Sequence, residues 1–66
     1  MKFDEKARVR LEHWITHNEH HQEEYEMFAD ALEKEGKLQS AGHIREMTEL
    51  TSRSTECLRE ALKTLG

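Results

Sequence analysis

The sequence predicts an all-α fold, an antiparallel two-helix hairpin that dimerises into a four-helix bundle. Three observations predict it. The 66 residues contain no proline and only three glycines, so helix breakers are scarce. Two long stretches carry apolar residues at alternating spacings of three and four, flanking Gly36. At 35% hydrophobic and 36% charged residues, the chain is too poor in apolar side chains to close a core alone. Its one cysteine forms no internal disulfide, so a metal or a second copy must supply the missing stabilisation.

The first helix is expected over residues 4–35. Asp4 is its expected cap, with Glu5 in the first turn where the helix dipole favours acids. Its apolar stripe is Phe3, Ala7, Leu11, Trp14, Tyr25, Phe28 and Leu32, and Asn18 and His21 fill the gap in the seam. Gly36 supplies the left-handed residue that ends the helix, and residues 36–39 make the turn. The second helix is expected over residues 40–65, starting near Leu38 or with Ser40 as cap. Its stripe is Ala41, Ile44, Met47, Leu58, Ala61 and Leu65, with Thr51 and Ser54 in the gap. Gly42 in its first turns implies a close approach to helix one. Asp4–Arg8, Asp30–Lys34 and Glu49–Arg53 are expected i,i+4 ion pairs.

Folding the chain at residues 36–37 sets the stripes face to face. Phe28 then meets Ile44, Tyr25 meets Met47, Trp14 meets Leu58 and Leu11 meets Ala61. The polar gaps coincide, with His21 opposite Thr51 and Asn18 opposite Ser54. Trp14, Tyr25 and Phe28 read as core. Ile15, Ala29, Leu50, Cys57 and Leu62 lie on the flanks of the seams, and a homodimer packed as a four-helix bundle is expected to cover them, with a larger assembly as the alternative.

Charge narrows the partners. The net charge is −4, and residues 1–36 hold ten acids against five bases. The one basic run, Lys2, Lys6, Arg8 and Arg10, is interrupted by acids, which argues against nucleic acid. No apolar run approaches the roughly 20 residues of a membrane span. The opening Met1-Lys2-Phe3-Asp4 leads straight into charged sequence rather than a signal peptide. A cytoplasmic location is expected, and a lone free cysteine fits a reducing compartment.

The chemistry is concentrated in His13-x-x-x-His17-x-x-His20-His21-x-x-Glu24. Side chains three and four apart are neighbours on a helix, so His13, His17, His20 and Glu24 form a ladder while His21 reaches further into the bundle. His17 and His21 are the primary candidate ligands, with His13, His20 and Glu24 secondary and Asn18 orienting them. Neutral imidazoles with a carboxylate suit zinc, nickel, cobalt or copper, and divalent nickel, cobalt or zinc is the ion expected. Remaining ligands would come from Glu56, Cys57, a second copy or water. The competing reading is a non-catalytic structural module in which the histidines form a hydrogen-bonded polar core layer. His43 reads as a surface residue and Cys57 as buried and inert.

Enzyme signatures fail. His-Glu-x-x-His is absent, as is the Glu-x-x-His of di-iron bundles, and no glycine-rich phosphate loop occurs. No catalysis is expected. The stretch His13-Trp14-Ile15-Thr16-His17-Asn18-Glu19-His20-His21, followed by Glu24 and Phe28, resembles a His-Trp-Ile-x-His-Asn-x-x-His motif in small prokaryotic helical-hairpin proteins without an established activity. The resemblance covers residues 13–28 well and helix two only in pattern. It implies a small prokaryotic cytoplasmic protein linked to transition-metal handling, and supplies no reaction.

Overall fold

The computed structural model describes residues 2–66. Two helices make up the fold, α1 (Phe3–Lys34) and α2 (Leu38–Thr64), packed as an antiparallel hairpin. Gly36 adopts φ +78°, the left-handed conformation that only glycine enters without cost. The amide of Lys37 bonds the carbonyl of Leu32 at 2.9 Å, and that of Gly36 bonds Glu33 at 3.0 Å. This paired arrangement closes the end of α1 with the carbonyls of Leu32 and Glu33 satisfied.

The turn feeds α2 directly. Lys37 precedes its first residue, and the Ala41 amide donates to the Lys37 carbonyl at 3.0 Å. Ser40 is therefore already the third helical residue and caps nothing. Asp4 likewise lies inside the first turn of α1, whose flanking residue is Lys2 with no side-chain cap. Its carboxylate contributes there through the helix dipole instead.

The interface is narrower than the apolar stripes and turned away from their aromatic members. Its fully buried residues are small: Ala29, Ala41, Thr48 and Thr55. Half-buried Leu11, Ile15, Asn18, Gln22, Tyr25 and Leu32 line it from α1, and Ile44, Thr51, Leu58, Leu62 and Leu65 from α2. Ala29, Ile15 and Leu62, expected on the flank, thus belong to the seam. Phe3, Trp14 and Phe28, expected in the core, are 79%, 47% and 56% exposed. Met47 and Leu50 are also exposed. Small side chains let two helices approach closely along one line, and that line leaves no room for the aromatic rings beside it.

Thr48 and Thr55 each donate a hydroxyl hydrogen bond to the carbonyl four residues earlier, Ile44 and Thr51, at 2.9 Å. Their buried polarity is satisfied within α2, and their methyl groups remain to pack. A Cβ added at Gly42 meets nothing within 4 Å, so this glycine lies in the open and makes no close approach to α1.

One flank of the hairpin is charged. Arg45 pairs with Asp30 at 3.0 Å and Glu33 at 2.7 Å, and Arg59 pairs with Glu19 across the helices. Asp30 is thereby engaged across the hairpin, and no ion pair joins it to Lys34 or Asp4 to Arg8 among the described residues. Glu49–Arg53 forms as expected, at 3.7 Å. Helical periodicity puts Glu19, Glu26, Asp30 and Glu33 on one side of the Ala29 line, and Trp14, His21 and Phe28 on the other.

The molecule is a rod of 51 × 16 × 10 Å with a radius of gyration of 15.3 Å. A compact domain of this length would have a radius of about 11 Å.

Candidate metal-binding site

The histidines occupy the middle of α1, where thirty-two helical residues hold them on a rigid rod. The row that forms is His13, His17 and His21, continued by Tyr25. Ring centroids are 5.7 Å apart for His13–His17 and 4.3 Å for His17–His21, and the His21 ring stacks on Tyr25 at 5.9 Å with an interplanar angle of 8°. Successive members are four residues apart, so each ring lies one turn above the last. His20 lies off this row, its centroid 6.4 Å from that of His21. The expected ladder through His20 and Glu24 is thus two features, a row of His13, His17 and His21 with His20 and Glu24 beside it.

Glu24 has a specific task. Its Oε1 is 3.0 Å from Nδ1 of His21 and 4.0 Å from Nε2 of His20. A carboxylate only accepts hydrogen bonds, so Nδ1 of His21 donates. In the neutral ring the free lone pair is then on Nε2. Metal-binding histidines are commonly oriented by this kind of carboxylate contact. Glu24, expected as a secondary ligand, lies against Nδ1 of His21, the position from which a carboxylate orients an imidazole. The i,i+3 spacing of His21 and Glu24 is the signal that could have shown it.

The second helix adds no ligand. Thr55 faces α1, so Glu56 and Cys57, one and two residues on, are carried round the helix away from the interface. Both are exposed, and Cys57 is a free surface thiol rather than a buried one. His43 is exposed, as expected. Asn18, Thr51 and His21 are half-buried and Ser54 is exposed. Among the described residues no hydrogen bond joins Asn18 to Ser54 or His21 to Thr51. No group of three or more His, Cys, Asp or Glu side chains is arranged to hold an ion within the single chain, among the described residues.

A family model described as a domain of unknown function (DUF8180) matches residues 7–65. The chain belongs to that family. The DUF8180 match spans both helices, the Gly36 turn and the whole histidine row. No curated protein and no solved structure matches the chain. No helix among the described residues of this DUF8180 chain is long and apolar enough to cross a membrane.

Proposed function

We propose that this protein is a non-catalytic, homodimeric helical-bundle module that binds nickel, cobalt or zinc through the α1 histidines, in storage, delivery or sensing of the metal. The proposal keeps it among small prokaryotic cytoplasmic proteins, on the His-Trp-Ile-x-His-Asn-x-x-His resemblance. His17 and His21 are the ligands, with His13 and His20 as secondary donors that join only after their side chains rotate, and Glu24 orients His21. The observation that carries this reading is the 3.0 Å contact between Glu24 and Nδ1 of His21, beside a second imidazole one turn away. It leaves a ring nitrogen with a free lone pair next to another imidazole, on a helix face that solvent reaches.

The polar-layer reading lacks comparable support. It calls for hydrogen bonds from His21 and Asn18 to α2, whereas the contact His21 makes is on its own helix. The polar side chains buried in the seam, Thr48 and Thr55, bond their own helix as well.

Equilibrium dialysis of untagged protein against nickel, cobalt and zinc near neutral pH tests the proposal. His17→Ala with His21→Ala should abolish binding. Glu24→Gln should weaken it about 10–100-fold, the usual cost of losing an orienting partner. Unchanged stoichiometry in the double histidine variant would overturn the metal reading.

A further inference from the structure

We infer that the exposed aromatic face is covered by a second copy of this chain, stacked antiparallel about His21, and that the two copies share one metal ion held between the two His21 rings. The ion rests on the metal reading above; the paired copies rest on separate observations.

The first is area. The chain exposes 5355 Å², whereas a compact monomer of 7.8 kDa exposes about 4,400 Å². A compact particle of twice the mass exposes about 3,600 Å² per chain, so each copy would bury about 1,700 Å² on pairing. A stable interface of ordinary size buries about 800 Å² per partner. The exposed surface of the rod exceeds what that interface requires.

The second is the symmetry of the face. On α1, Trp14 and Phe28 lie seven residues either side of His21. On α2, Met47 and Ala61 lie seven residues either side of Ser54. The ion pairs Arg45–Asp30, Arg45–Glu33 and Arg59–Glu19 set Ser54 between the levels of His21 and Glu24 on α1. Both stripes share the face opposite the Arg45 and Arg59 ion pairs. A twofold axis across the helices at His21 superposes the α1 stripe on itself. It brings Trp14 onto the partner's Phe28 and His21 onto the partner's His21. Two aromatic contacts then flank the axis, about 21 Å apart at 1.5 Å per residue.

The third is the incomplete ligand set. One chain offers two adjacent imidazoles and no third group placed to join them. Two chains related by this axis bring their His21 rings together at one level, each with its own His17 one turn away, about 6 Å along α1 and on opposite sides of the axis. Metal binding and pairing are then coupled, because an ion that binds only the pair draws chains together by mass action.

Sedimentation equilibrium with and without zinc, together with calorimetric titration, tests this. The expected result is one zinc ion per two chains. Zinc at about a hundred times its dissociation constant should lower the dimer dissociation constant about 100-fold. His21→Ala should pair equally with or without zinc, and Trp14→Ala with Phe28→Ala should remain helical by circular dichroism yet lose pairing. One ion per monomer would overturn the shared site while leaving metal binding intact. A dimer that binds neither zinc nor nickel nor cobalt would overturn the metal reading, and the shared site with it, while the aromatic pairing stands. Orientation is read separately in a Cys57→Ser background. Oxidation should link the His21→Cys chain to itself and leave the Arg10→Cys chain unlinked. Linkage of both would show a parallel pair and overturn the arrangement.

Discussion

Replacing Gly42 by alanine should stabilise the hairpin. Gly42 is the fifth residue of α2, beyond the reach of end fraying, and its φ is not positive. A Cβ built there has open space on all sides within 4 Å, so no packing term opposes the substitution. What remains is backbone entropy, and glycine inside a helix costs about 0.5–1 kcal/mol relative to alanine. For a domain of this size each kcal/mol moves the melting temperature by roughly 4–8 °C, so the variant should melt about 2–8 °C higher. Thermal unfolding followed at the helix ellipticity measures it, repeated at several protein concentrations so that association and helix propensity separate. The gain should be the same at every concentration, because Gly42 lies away from the aromatic face. A lower melting temperature would show that something covers this position, and the account of α2 as open on its outer side would fail.

Other substitutions probe the seam, the turn and the charged flank. Ala29→Leu forces extra carbons into the closest approach of the helices and should cost about 1–3 kcal/mol in urea denaturation. Thr55→Val should be close to neutral, because the Thr51 carbonyl keeps its backbone bond and the valine fills the same volume; a loss above about 2 kcal/mol would mean the hydroxyl does more than bond its own helix. Gly36→Ala strains the left-handed turn and should lower stability by about 1–2 kcal/mol. Arg59→Ala removes an exposed ion pair and should change stability by less than about 1 kcal/mol, with even that difference fading in high salt.

The hairpin was legible because its signals are local. Gly36 ends one helical pattern where another begins, and its backbone conformation follows from having no side chain. Which stripe faces the other helix was less legible. In both helices the aromatic and aliphatic residues form a broader band than two rods can bury against each other. The sequence marks the whole band as apolar, but only packing decides which edge is used inside the chain. Ala29, Thr48 and Thr55 prevail because their size permits close approach, and Trp14 and Phe28 are left on the open side. The histidines were legible as a cluster, since spacings of three and four guarantee neighbours on a helix. The contact of Glu24 was not, because a carboxylate three residues from an imidazole meets it only in some rotamers.

The two broad sides of the rod are chemically unlike. Arg45 and Arg59 tie down Asp30, Glu33 and Glu19 on one of them, with Glu23 and Glu26 beside them, while the rings of Trp14 and Phe28 emerge on the other. A layer of such rods has grease beneath and hydrated charge on top. In the proposed pair the two layers meet through the greasy side, and each outer surface would carry the same acidic groups and repel a third. Growth would then stop at a closed particle instead of running on into a fibre, a useful property for a chain that leaves so much aromatic surface uncovered.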